Sequence, residues 1–441
     1  MAVWKRLASQ SATLFVSRIF GAGVTFIAQA AIARTWGSST LGDYLLIIAA
    51  VNLVAVVLPL GFETVGTYFA AEYRARGEGR LLRGFLIRAY GHVGLMALAL
   101  FILGAPVATL FGEPGKVFLG HWLPACLLAF STALIFVSAS MLVGLKRPFA
   151  GLLADSVFRP LVILAAFLLA FATQSGARSL DVLIWCVSIG LTVIALVQLV
   201  QLIGSVREVP LDVPARQGEW RRWWRFAMPW VIISLASDFF FDLDLLALSN
   251  LLNREDLAIF GVCTRVFSLI SFGVAVVYSV TLPDMFESEA KADRAGFYRK
   301  IGDANVVAAL LSLVLFGLVA LGAPLALMLF GPAFLAGVAP LAILCVALVV
   351  RSVFGPSSLV LSVHDRPYAT LPAIILGVVA LLLGNLLLAP RFGLIGAAMS
   401  ALIAITLWSA AQWLTVLRTS GIDVSIRARL LRGRSDQVPA E

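Results

Sequence analysis

Four arginines stand inside stretches that are otherwise apolar: Arg18, Arg159, Arg265 and Arg351. A charged side chain near the centre of a membrane helix costs roughly 2.5–3.5 kcal/mol on insertion scales, so each should face water, a partner or a ligand. A guanidinium grips phosphate in fork geometry, and a low dielectric strengthens that contact. Handling an anion is therefore the chemistry these residues could do. Arg18 shares a helical stripe with Ser11, Thr25 and Gln29, at steps of seven, seven and four. Arg265 shares a thinner stripe with Ser268 and Ser279, interrupted by Phe272. Other readings stay open: Arg18 could snorkel to the surface from the first turns of its helix. Arg159 follows Asp155 by four residues, the spacing of an ion pair on one helix face. Arg351 lies near mid-span and is the hardest to explain as packing.

Carboxylates gather on one segment. Asp238 and Asp242 are a helical turn apart, on the face that carries Ser234 and Ser249, while Asp244 points elsewhere. Such a pair could neutralise a cavity arginine, bind a coupling proton or sodium ion, or show that the span boundary lies elsewhere. Asn52, His92, Asp303, Asn305 and Asn385 could line the same cavity, though singly such residues more often join helix to helix. No catalytic group emerges. Gly115-Lys116 is followed by Val117 and has no glycine five residues upstream, so it is not a P-loop. His92, His121 and His364 are scattered, and Cys126, Cys186, Cys263 and Cys345 lack metal or redox spacing. The sequence predicts no enzyme, cofactor or metal.

The elements that must position these residues are membrane helices. Of 441 residues, 61% are apolar and 13% charged, against roughly 25% charged in a soluble domain. The mean hydropathy is +0.99. Such a chain cannot cover a globular surface with polar groups, which excludes a soluble enzyme with a single anchor. Runs of about 20 residues, enough to cross a hydrocarbon core, predict twelve spans. They lie near 13–34, 41–62, 84–105, 119–145, 152–172, 182–204, 226–250, 257–283, 302–324, 338–362, 368–388 and 394–418. With the N-terminus inside, 24 Lys and Arg fall in cytoplasmic segments and 5 in outward loops. Missing or inventing one helix would destroy that asymmetry, so it predicts an even count and cytoplasmic termini in a bacterial inner membrane. The net charge of +9 needs no nucleic acid. Glu219–Arg225 reads as a short interfacial helix, with tryptophans at headgroup level.

The chain also repeats itself. Leu103-Gly104-Ala105-Pro106 with Leu110-Phe111-Gly112 recurs as Leu321-Gly322-Ala323-Pro324 with Leu329-Phe330-Gly331. Arg147-Pro148-Phe149-Ala150 recurs as Arg366-Pro367-Tyr368-Ala369. The Leu-Phe-Gly and Arg-Pro matches share an offset of 219 residues. Six spans per half make the halves parallel repeats, a plan common in transporters that expose substrate alternately to each side. The expected organisation is an N-terminal six-helix lobe over 1–204, a cytoplasmic linker over 205–225, a C-terminal lobe over 226–418 and a basic, loosely ordered tail over 419–441. A cationic cavity with an apolar wall suits an anionic head on a lipid tail, either a phospholipid or a polyprenyl diphosphate bearing sugars.

In order along the chain, Ala33-Arg34-Thr35-Trp36-Gly37, Gly42-Asp43-Tyr44, Asp242, Leu257-Ala258-Ile259-Phe260-Gly261, Arg265 and Pro283 form a pattern. It resembles the polysaccharide-transporter branch of the multidrug/oligosaccharidyl-lipid/polysaccharide exporter superfamily, the O-antigen and exopolysaccharide repeat-unit flippases. Ala258 departs from it, since the family more often has glycine there. The resemblance implies an all-α, V-shaped bundle of about 12 transmembrane helices in two lobes around a central cavity. It implies export of an undecaprenyl-diphosphate-linked oligosaccharide to the outer leaflet by alternating access. By this resemblance Arg18 and Arg265 would meet substrate and Asp242 would balance charge or couple to a proton or sodium ion; the reading of the residues adds Gln29 and Arg351 to the substrate-binding candidates and Asp238 to the acids. Membrane lipid, a polysaccharide polymerase and assembly proteins are the further partners expected. The alternative is a cation-coupled drug or metabolite antiporter on the same six-plus-six plan.

Overall fold

The computed structural model describes residues 2–173, 178–211, 218–290, 294–364 and 366–427. Arg216, Lys291, Asp365 and the end of the tail lie outside the described residues, as do the side chains of Ser11, Ser279 and Pro283. Every element described is helical: α1 (Ala2–Trp36), α2 (Ser38–Val57), α3 (Phe62–Arg76), α4 (Gly79–Ala108), α5 (Glu113–Gly120), α6 (Trp122–Gly144), α7 (Pro148–Leu153) and α8 (Arg159–Thr173) come first. Then follow α9 (Ser179–Arg207), α10 (Glu219–Ser237), α11 (Phe240–Leu248), α12 (Arg254–Ala290), α13 (Arg294–Met328), α14 (Val338–Phe354), α15 (Ser357–Val363) and α16 (Leu371–Ser420). Ten helices among the described residues are long and apolar enough to cross a membrane. One of them, Tyr368–Ser420, turns at Gly393 (φ 56°) and so supplies two crossings. The broken pair α10–α11 supplies another, which recovers the twelve expected spans.

The chain forms two compact units, Met1–Asn250 and Leu251–Glu441. In the first, α6 is the hub, packing on α9, α3, α2 and α4. Hydroxyls join it to α9: Ser131 Oγ lies 2.8 Å from Thr192 Oγ1, and Ser188 donates to Pro124 O at 2.7 Å. Small polar groups of this kind let membrane helices approach closely and hold them together. In the second unit α14 packs against α12, α13 and α16. The faces of α4 and α13 that leave their units carry Leu95, Leu98, Phe101 and Ile102, and Leu310, Leu313, Val314 and Leu318, all exposed, as a lipid-facing surface requires.

The repeat has a conformational signature. Arg147 (φ −117°, ψ 58°) and Arg366 (φ −124°, ψ 46°) share a backbone conformation. Each precedes a proline that opens a helical turn. The Arg147 and Arg366 N–H groups donate to Leu142 O and Leu361 O respectively, both at 2.8 Å and both 219 residues apart along the chain. Gly112 and Gly331, at the same offset, both have positive φ.

Three expectations need correction. The compact units divide after Asn250, not in a linker over 205–225, and no separate interfacial helix spans Glu219–Arg225. That segment is the start of α10 and locks onto α3. The Trp223 indole is buried and donates to Tyr73 Oη at 2.6 Å, while Tyr73 donates to Glu219 Oε2 at 2.9 Å. Arg222 forks onto Glu72 at 3.1 and 2.8 Å, and the Glu72 carboxylate holds this guanidinium above its ordinary range. Burial likewise pushes the Tyr73 phenol up.

The third correction concerns the tail, whose first residues are packed rather than loose. Ile422 and Val424 insert among Phe297, Ile301, Val360 and Leu361. Asn305 Nδ2 donates to Val424 O, and a Cβ on Gly355 would meet that same carbonyl at 2.0 Å, so only glycine lets the strap pass. Asp423 accepts from Trp413 Nε1 at 2.8 Å and from Ser425 Oγ at 2.7 Å.

Two outcomes follow. Arg222→Met should destabilise the protein by about 1–3 kcal/mol in thermal unfolding, because it removes the forked partner of the Glu72 carboxylate and leaves it only the half-exposed Arg76. Burial alone would raise the Asp423 carboxyl, but the Trp413 and Ser425 hydrogen bonds outweigh it and hold the group below its usual range. A depressed carboxylate stabilises the fold above its unfolded pKa and loses that stabilisation as pH falls through the folded value. Limited proteolysis of the strap should therefore accelerate below about pH 4. Asp423→Ala should show the fast rate already at neutral pH.

Candidate functional site

The six residues expected at a site fall in both units: Arg18, Gln29, Asp238 and Asp242 in the first, Arg265 and Arg351 in the second. In the first unit Arg18, Asp238 and Asp242 belong to two polar chains, and Gln29 to neither. Helix α2 stops at Leu58-Pro59-Leu60-Gly61 before α3 begins, because Pro59 cannot donate a helical hydrogen bond and Leu60 and Gly61 have positive φ. A Cβ on Gly61 would meet Ala227 O at 2.1 Å, so α10 closes directly on the break. Helix α10 breaks in turn at Asp238-Phe239, before α11.

The two breaks face each other through side chains. Thr64 Oγ1 lies 3.3 Å from Ser234 Oγ and donates to Glu63 Oε1 at 3.3 Å. Ser234 hydrogen-bonds Asp238, which also feels the positive charge of Arg18 on α1. The chain Glu63–Thr64–Ser234–Asp238–Arg18 therefore runs from a buried carboxylate to an exposed guanidinium. Glu63 is 9% exposed and its Oε2 is buried without a hydrogen-bond partner. Sequence reasoning missed Glu63, which falls one residue beyond the expected span 41–62. An acid flanked by two apolar runs was the available signal.

Asp242 takes a different route. The break in α10–α11 turns it away from Asp238, so the two do not share the face expected of one continuous helix. Asp242 is buried in the first turn of α11, where the helix dipole favours a carboxylate. Asn52 Nδ2 donates to its Oδ2 at 3.1 Å, and Asn52 Oδ1 accepts from Arg159 Nη2 at 3.0 Å. Arg159 Nη1 also reaches Asp155 Oδ1 at 3.0 Å, across a π-turn over Ala154–Phe158. The spacing of Asp155 and Arg159 predicted that pair. The onward bridge through Asn52 needed the fold.

Gln29, on the Arg18 stripe, is 3% exposed, and its Oε1 is buried without a partner. Thr25 on the same stripe spends its hydroxyl on Gly21 O. The stripe is thus open at Arg18 and closed at Gln29.

In the second unit Arg265 is half-buried on α12, and Ser268 on its stripe donates to Thr264 O. Arg351 lies in the last turn of α14, before the break at Gly355-Pro356. Its side chain is exposed, with Cζ 6.0 Å from the centre of the Trp408 ring. Tyr278 is its electrostatic neighbour, and the Tyr278 hydroxyl is buried without a hydrogen-bond partner. Cation–π contact holds a guanidinium without cancelling its charge. Two cavity candidates prove structural: Asn305 anchors the strap, and His92 packs between Phe62 and Trp224. Among the described residues no cluster of His, Cys, Asp or Glu could hold a metal ion.

Residues 7–289 match the family model described as polysaccharide biosynthesis protein. No curated protein matches the sequence. Among solved structures, the chain is similar to an inward-facing multidrug resistance MATE transporter of the MOP superfamily, with TM-score 0.75 and 13% identity over 95% of this chain and 96% of that one. It is also similar to the lipid II flippase MurJ in an inward closed conformation, with TM-score 0.73 and 16% identity over 97% and 94%. A MOP superfamily transporter from Pyrococcus furiosus, described as having a binding pocket of reversed polarity, aligns with TM-score 0.60 and 13% identity over 92% and 96%. The chain is thus a multi-pass membrane protein with the fold of these transporters, and it belongs to the polysaccharide biosynthesis protein family.

Proposed function

We propose that the protein is a flippase that carries an undecaprenyl-diphosphate-linked oligosaccharide from the cytoplasmic to the outer leaflet by alternating access, for cell-surface polysaccharide synthesis. Membership of the polysaccharide biosynthesis family supports this reading, and Arg351 is the observation that carries it. A guanidinium on a membrane helix that stacks on an indole, and makes no ion pair among the described residues, keeps its charge for a ligand. In this reading Arg351, Arg265 and Arg18 meet the diphosphate or an acidic sugar. Glu63 and Asp238 hold the coupling proton or ion: two hydroxyl protons, on Thr64 and Ser234, serve two carboxylates, and Glu63 Oε2 has room for one proton more. Arg159, Asn52 and Asp242 position α11 against α2 and do not touch substrate.

Deleting the gene in a strain with no redundant flippase should leave lipid-linked repeat units on the cytoplasmic side and remove surface polysaccharide. Unimpaired polysaccharide, or a changed drug sensitivity alone, would favour a cation-coupled antiporter instead. Arg351→Glu and Arg265→Glu should each cut transport at least about tenfold, the effect of losing one charged hydrogen bond, with membrane insertion unchanged. Asn52→Leu should behave differently, lowering thermal stability by about 1–3 kcal/mol because it leaves Asp242 and Arg159 without their bridge.

A further inference from the structure

The internal repeat sets two arginine corners side by side for comparison, and they differ in one respect. Arg147 and Arg366 occupy equivalent turns, with the same backbone conformation and the same hydrogen bond to the residue five positions back. In the first unit α9 ends at the C-cap Glu208, and Arg147 Nη2 donates to Glu208 Oε1 at 2.6 Å. In the second unit α16 ends at the C-cap Gly421, which has no side chain to offer. The acid of the following strap, Asp423, is engaged by Trp413 and Ser425. Arg366 is left with one long hydrogen bond, 3.5 Å from Nη1 to Thr419 O, and makes no ion pair among the described residues.

Where the first unit has its carboxylate, the second has space. A cavity of about 250 Å³ opens beside Arg366, lined also by Tyr298, His364, Thr419, Ser420 and Ile422. Its polar groups come from three segments of chain: α13, the turn before Pro367, and the end of α16 with its strap. Among the described residues no carboxylate lines it. Arg299 and Arg418 adjoin the lining residues Tyr298 and Thr419 in sequence, as the acids Asp365 and Asp423 adjoin Arg366 and Ile422, so Arg366 is the one cation among the lining residues themselves. A fork of N–H donors suits the oxygens of a phosphoryl group; the Tyr298 and Thr419 hydroxyls donate to Gly421 O and Thr415 O, so Arg366 is the principal donor to a ligand here.

We infer that this corner, closed over by the strap 421–425, is a second anion site, which binds a phosphoryl group at the membrane surface. It is separate from Arg18, Arg265 and Arg351 and does not depend on the flippase reading. The same chemistry could come from an anionic lipid headgroup or from free phosphate or pyrophosphate.

The test uses the full chain in phosphatidylcholine nanodiscs. Inorganic pyrophosphate binding is measured by calorimetry, and retained phosphatidylglycerol is counted by native mass spectrometry after exchange into mixed nanodiscs. Arg366→Gln should weaken whichever ligand binds by at least about tenfold, while Arg147→Gln, which removes an arginine already paired, leaves it unchanged. Arg366→Lys should fall between, retaining charge without the fork, and controls for misfolding of the glutamine variant. Pyrophosphate binding that phosphatidylglycerol does not displace identifies free phosphate as the source. Displacement, or retention of the lipid alone, identifies the headgroup. If neither ligand binds, or if binding is the same in all three Arg366 proteins, the inference is overturned.

Discussion

In hydrocarbon a helix can stop only where another group takes over its loose ends, because no water is present to do so. That constraint explains most of what is irregular here. The break between α2 and α3 is covered by α10, whose Ala227 carbonyl comes so close that Gly61 must lack a Cβ. The break between α14 and α15 is covered by the strap through Val424 and Asn305. The π-turn before α8 sits where Asp155, Arg159 and Asn52 meet. Each departure from a straight span thus marks a place where distant parts of the chain are obliged to touch.

The same medium sorts the charges. Arg159 and Asp242 are joined through one amide, so the buried carboxylate is compensated without a direct ion pair. Arg18 and Asp238 are related electrostatically at the open end of a hydroxyl chain whose far end is Glu63. Arg351 has an aromatic companion instead of an acid. These are three ways to keep a guanidinium in an apolar slab, and they differ in how much charge remains available. The Asn52 bridge leaves least, and the Trp408 stack leaves most.

Hydrophobic runs and loop charges made the twelve crossings legible, since both depend only on composition along the chain. The repeat was legible because its turns need particular residues, proline after arginine and glycine at positive φ. The partners of the polar residues were not. Asp238 and Asp242 look equivalent on an ideal helical wheel, and only the break at Phe239 sends them to different neighbours. Glu63 was hidden because a span boundary drawn from hydropathy ends just before it, whereas a new helix begins at Phe62 and carries it in its first turn. The unit boundary was misplaced for a related reason: Trp223 and Arg222 have the composition of an interfacial segment, but a tyrosine and a glutamate on α3 receive them.

The strap also sets an order of events during synthesis. In the first unit the segment that caps α4 is Val209-Pro210, whose carbonyl receives the Gly79 N–H, and it is made before the second unit begins. In the second unit Phe297, Ile301 and Val360 must wait for Ile422 and Val424, which follow only after the whole of α16 has been made. The first unit can close before the second exists, whereas the second stays open at one end until its strap has followed α16 out of the ribosome.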